Sequence, residues 1–188
     1  MQRHVAWAGG LVLGIGLMLA APPAHALITL PTPLRGLIRE VQYIVTARVE
    51  SVTPARPAML LVVEEDLKGK APFRKLPVNL TGDREADRAR HRPLLLKRVA
   101  PKLPLVLFVK RQDKNLTAFA YSNGTWFQMT AVEEDGGPRW AFTHCEPYLR
   151  KTFKGPTADL RRVVVDALSG KKKPPEPDKK EKPGLGPA

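Results

Sequence analysis

The hydrophobic pattern alternates over much of the chain, interrupted by one polar stretch and followed by one helical stripe. Leu34, Leu37, Ile38 and Val41 fall at i, i+3, i+4 and i+7, which predicts a short helix over Pro33–Val41 with Thr32 as N-cap and Pro33 at N1. From Tyr43 to Val52 the residues alternate, and Arg48 and Glu50 mark a wet face at the far end, so a strand is expected there. Pro54 and Pro57 punctuate the link to a second strand, Met59–Asp66, and Gly69 supplies a turn. Phe73–Leu80 reads as a short third strand, with Pro77 arguing for a sheet edge. The polar run from Gly82 to Ala100 breaks the alternation. Asp83 is its expected N-cap, and Pro93 interrupts it before a further helical turn at Leu94–Val99.

Beyond the insert, LPLVLFVK (Leu103–Lys110) is apolar almost throughout, as in a strand covered on both faces. Leu116–Tyr121 and Thr125–Val132 flank Ser122-Asn123-Gly124, a strong hairpin signal, and Asp135-Gly136-Gly137-Pro138 leads to a strand at Arg139–His144. Residues 103–144 therefore predict an antiparallel meander of four strands. Ala158–Ser169 carries an amphipathic stripe, with Thr157 as expected cap and Gly170 at C′. About seven short strands, a mid-chain helical insert and a C-terminal helix predict a mainly β fold: a small OB-like antiparallel barrel, closed or partly open.

The first 26 residues have a different logic. Arg3 precedes an uncharged apolar run, Val5–Ala21, and Ala24-His25-Ala26 presents small residues for cleavage before Leu27, so residues 1–26 read as a secretory signal peptide. A retained membrane anchor is the rival reading, but the run is short and Pro22 and Pro23 break it. The protein is accordingly expected to be exported, to periplasm, cell envelope or medium. The β domain is then 27–170. Residues 171–188, KKKPPEPDKKEKPGLGPA, have six Lys, five Pro and one large apolar residue, and read as a disordered tail.

Charge and cysteine count narrow the chemistry. The chain carries a net +13. Arg3 accounts for one charge and the tail for three, so most of the excess lies on the domain and favours anionic surfaces. Cys145 is the single cysteine, so no intrachain disulfide can form and a Cys/His-rich zinc site is out of reach. Aromatic neighbours place it in the core, although pairing between chains stays open.

YIVTARVESVTP followed by MLLVVEEDLKGKAPFRKLPVNL resembles OB-type barrels of the netrin-like branch, which includes tissue inhibitors of metalloproteinases. The shared features map to Tyr43–Val49, Val62–Gly69 and Leu105–Val109, roughly 70 residues in all, and the same N-terminal pattern occurs in exported bacterial proteins. The resemblance implies a fold. It does not carry inhibition across, because those inhibitors begin their mature chain with a zinc-chelating cysteine, and Leu27 stands here.

Candidate chemistry is sparse. Adjacent strand residues point to opposite faces, so in His144-Cys145-Glu146 the histidine is poorly placed to serve the thiol. Glu64-Glu65-Asp66 and Glu133-Glu134-Asp135 read as solvated strand ends. Arg84, Arg88 and Arg92 are spaced i, i+4, i+8; if helical they share a face, with Lys97 and Arg98 following, and form a candidate anion-binding site. Tyr121, Trp126, Phe127, Trp140 and Phe142 could stack sugars or bases, but core packing is the commoner use. The expectation is a non-catalytic binding module for an envelope protein or an anionic polymer, with no cofactor or metal and with nucleic acid disfavoured. A small secreted protease inhibitor or hydrolytic enzyme is the alternative.

Overall fold

The computed structural model describes residues 32–81 and 83–185. The signal-peptide reading falls outside them. Seven strands close into a barrel: β1 (Tyr43–Thr53), β2 (Ala58–Lys68), β3 (Lys75–Asn79), β4 (Pro104–Gln112), β5 (Asn115–Ser122), β6 (Thr125–Val132) and β7 (Arg139–Cys145), in the order β1-β2-β3-β7-β6-β5-β4. Among the described residues four helices accompany them: α1 (Leu34–Glu40), α2 (Arg84–Arg88), α3 (His91–Leu96) and α4 (Thr157–Leu168). A 3₁₀ turn, Pro147–Lys151, follows β7. Among the described residues no helix is long and apolar enough to cross a membrane.

The expected meander forms as β4, β5, β6 and β7, each antiparallel to the next. Its β5–β6 turn is the predicted one. Asn123 (φ 42°) and Gly124 (φ 87°) take the left-handed conformation between the paired Ser122 and Thr125. The barrel is not wholly antiparallel, however. β3 and β7 run parallel and meet at only two registered pairs, Val78 with Trp140 and Asn79 with Ala141. This short seam also corrects the edge assignment of Pro77. β3 bonds to β2 from its even-numbered positions, with Val63 N–H to Arg74 O and Leu80 N–H to Pro57 O both at 2.9 Å. The nitrogen of Pro77 therefore faces away from β2, just before the pairing with β7 begins, and no ladder bond is lost.

Two apolar cores result from the alternation. Val45, Ala47, Val49, Leu61, Leu105, Leu107, Phe127, Trp140, Phe142 and Cys145 fill the barrel interior. The outward residues of β1, β4, β5 and β6, among them Ile44, Phe108, Tyr121 and Trp126, are covered by Leu34, Leu37 and Ile38 of α1 and Leu160 and Val164 of α4. β4 is thus buried on both faces, as its unbroken apolar run demands.

Three local expectations change. Pro33, not Thr32, is the N-cap of α1, and the Thr32 carbonyl instead accepts from Thr152 Oγ1 at 2.6 Å. Thr157 starts α4 without capping it, because its hydroxyl is engaged with Asn123 of the β5–β6 turn. The polar insert forms two helical pieces, as expected, but the break falls at Arg90 and not at Pro93. Arg90 adopts φ 57° between them, and Pro93 is tolerated because it falls in the first turn of α3. Asp83 does cap α2, accepting from Ala86 N–H at 2.8 Å. α4 ends as its sequence predicts, with Gly170 (φ 72°) and Lys171 donating to Ala167 and Asp166 carbonyls.

Residues 171–185 have no helix or strand, but they lie back on the domain. Asp178 N–H donates to Lys151 O at 2.7 Å, Gly184 N–H to Pro147 O at 3.1 Å, and Leu185 packs against the interior core.

Candidate functional site

An open groove of about 650 Å³ lies on the outer wall of β1, β2 and β3. Two cross-strand rows build its floor. Ser51, Leu60 and Pro77 are successive register partners, as are Thr53, Ala58 and Asn79. Met59, Val78 and Trp140 close it from below. The β1–β2 connection supplies one rim through Arg56 and Pro57, and the start of β7 supplies the other through Arg139. Proline at 54 and 57 limits the mobility of the first rim. An Asx turn fixes the third side, where Asn79 Oδ1 accepts from Thr81 N–H at 2.8 Å and Thr81 Oγ1 at 2.7 Å.

The electrostatics of the groove are one-sided. Its lining includes two arginines and no carboxylate. Arg139 pairs with the exposed Glu134 in the β6–β7 connection, and Arg56 is exposed. The volume lies within the usual range for small ligands and short peptide segments. Trp140 is 2% exposed, and its indole N–H is buried with no partner. Tyr121, Trp126, Phe127 and Phe142 are likewise core residues, so none of the five aromatics offers a stacking surface.

The five candidate anion-binding residues do not share one face. Arg84 and Arg88 are exposed on α2, which ends at Arg88. Arg92 belongs to α3 beyond the break at Arg90 and pairs with Asp87 at 3.4 Å. Lys97 is the exposed C-cap of α3, while Arg98 folds back so that its Nη1 donates to Leu94 O at 2.9 Å. The i, i+4, i+8 stripe needed an unbroken helix, and the left-handed Arg90 removes it.

A second cluster lies where the insert meets β7. His144 Nε2 and Glu146 Oε1 are 2.6 Å apart, with the residues 6% and 1% exposed. The i, i+2 spacing puts both on one face, a pairing not drawn from the sequence although the triplet was singled out and alternation alone could have found it. Cys145 points the other way, into the barrel interior. Its N–H donates to His91 Nδ1 at 3.2 Å, which ties α3 to β7. Burial pushes the Cys145 thiol up to about 12, so it stays protonated. His91 is shifted the opposite way, below its ordinary value, by burial and then by His144 at 6.5 Å between rings.

Among the described residues no group of three or more His, Cys, Asp and Glu is placed to hold a metal ion. Comparison with family models, with curated proteins and with solved structures yields no match for this chain.

Proposed function

We propose that the protein is an exported, non-catalytic binding module whose β1–β3 groove takes an extended acidic segment of an envelope or secreted protein. The observation that carries this reading is the groove itself: an apolar floor of Ala58, Leu60 and Pro77, flanked by Arg56 and Arg139, with no acid in the lining. Apolar side chains of the segment would sit on the floor while its carboxylates meet the rim, where charge complementarity accelerates and orients binding. The buried aromatics argue for a peptide over a polysaccharide, which needs exposed rings to stack on.

The topology supports an OB-type barrel with an added hairpin. A helical insert lies between β3 and β4, and closure comes through the β1–β4 pair on one side and the β3–β7 pair on the other. In OB-type barrels ligands lie on the face of strands 2 and 3, and here that face carries the groove. The protonated, inward-facing Cys145 weighs against a thiol enzyme.

The test is fluorescence anisotropy with labelled ten-residue peptides that alternate acidic and aliphatic residues, set against neutral and basic counterparts. The acidic peptide should bind tightest, and Leu60→Glu should weaken it roughly tenfold, about 1.4 kcal/mol. Equal binding of the basic peptide, or an unchanged affinity in Leu60→Glu, would sink the reading. Export is tested separately by N-terminal sequencing of the secreted chain, expected to begin at Leu27.

A further inference from the structure

The C-terminal run does not lie back at random; it delivers one carboxylate to one place. Asp178 N–H and Gly184 N–H bond to Lys151 O and Pro147 O, at the two ends of the 3₁₀ turn. The chain between them folds locally, with Glu181 N–H on Asp178 O at 3.2 Å and Lys180 N–H on Asp178 Oδ1 at 3.0 Å. This brings Glu181 against two cations of the domain. Its Oε1 accepts from Arg150 Nε at 2.7 Å and its Oε2 from Lys154 Nζ at 2.5 Å, while Asp178 Oδ2 lies 3.3 Å from the same Nζ. The Arg150 and Glu181 side chains are 22% and 18% exposed, so this pair is largely withdrawn from solvent. Lys154 and then Arg150 hold the Glu181 carboxyl below its ordinary range.

The fit is incomplete. Glu181 spreads its two oxygens over two different side chains, so the guanidinium fork is not met bidentately. Only the Arg150 Nε–H of the Nε–Nη2 edge meets Glu181. A tetrahedral oxyanion has further oxygens and could meet that edge bidentately while also reaching the Lys154 ammonium. The strap is also a weak competitor. Lys154 and Asp178 are each nearly half exposed, and exposed pairs of this kind add little. Six lysines against three acids leave the strap net positive, and it faces a domain that carries most of the chain's +13. What holds the strap is its tether, which keeps Glu181 at a high effective concentration.

We infer that Arg150 and Lys154 form a binding site for a phosphate-class oxyanion, which Glu181 of the C-terminal strap occupies as an intramolecular stand-in until ligand or salt displaces it. The site is on the 3₁₀ turn and the segment after it, separate from the groove, and does not depend on what the groove binds.

The test uses the full chain. Asp178→Asn with Glu181→Gln opens the strap, and Lys154→Gln, at an exposed position, disables the site without touching the core. Trypsin should cut after Lys179 and Lys180 about tenfold faster in the opened variant than in the parent at low salt, with the difference gone at high salt. Inorganic pyrophosphate, followed by titration calorimetry, should bind the opened variant about tenfold tighter than the parent, and adding Lys154→Gln should remove the gain. Flotation with phosphatidylglycerol vesicles separates the sources. Selective flotation of the opened variant assigns a lipid phosphate, and pyrophosphate binding without flotation assigns a soluble one. Equal pyrophosphate affinity in parent and opened variant, or a gain that survives Lys154→Gln, would overturn the inference.

Discussion

The two outer walls of this barrel are built alike and used differently. On the β4–β6 side the outward row includes Phe108, Tyr121 and Trp126, and α1 and α4 cover it completely. On the β1–β3 side the outward row is Ser51, Leu60 and Pro77, and no described element covers it. The covered wall explains its own apolar residues: they are a second core. The bare wall has no such explanation. Its apolar residues are small, its polar neighbours are uncharged or basic, and its rims are held by proline and an Asx turn. Large aromatic surface goes where the fold needs burial, and the proposed partner would account for the modest apolar surface left bare beside cations.

The sharpest way to break this contrast is to truncate one residue on each wall. Trp126 is 1% exposed, and its indole donates to Phe153 O at 2.9 Å. Trp126→Ala should cost about 3–5 kcal/mol in urea unfolding. Leu60→Ala on the bare wall should cost under about 1.5 kcal/mol, because that side chain is only half-buried. Comparable losses at the two sites would erase the distinction.

Next in size is the charge of the bare wall. Arg56→Glu with Arg139→Glu should weaken the acidic peptide by about tenfold or more at low salt and flatten its salt dependence, while the melting temperature barely moves. A variant that binds as well as the parent would detach the rims from recognition.

The smallest effect concerns the insert. His91 accepts from Cys145 N–H only while Nδ1 is unprotonated. Burial and His144 lower its pKa, against the opposing pull of Glu146, Asp83 and Glu85. Below its ordinary value near 6.5 the unfolded chain takes the proton before the folded one does. Its share of stability is therefore complete above about that pH and is lost as pH falls through the lowered folded value. His91→Asn keeps an acceptor but does not titrate, so its stability should change less between pH 6.5 and 5 by about 1 kcal/mol or less. An identical acid limb in both proteins would remove His91 as its cause.

Local pattern carried much of the fold and little of the site. The alternation in β1, the double-sided run in β4, Asn123-Gly124 and Gly170 are short-range signals, and each produced its element. The β3–β7 seam joins residues some 60 positions apart, so nothing near Pro77 announces it. The break at Arg90 depends on how α3 docks on β7 through His91, a tertiary contact that outweighed the helical spacing of Arg84, Arg88 and Arg92. Composition marks residues 171–188 as poor in apolar surface, but it is silent on where Glu181 lands. The groove is a product of register: Ser51, Leu60 and Pro77 are ordinary in sequence and become a floor only when three strands align.

The account turns on what meets the bare wall, and two-dimensional NMR of the labelled chain from Leu27 onward with the alternating acidic peptide addresses that directly. Shifts should concentrate at Ser51, Leu60, Asn79, Arg139 and the Trp140 indole, leaving Arg84–Arg98 and Arg150 unmoved. Shifts confined to the insert or to the 3₁₀ turn would place the binding surface elsewhere and contradict the central claim.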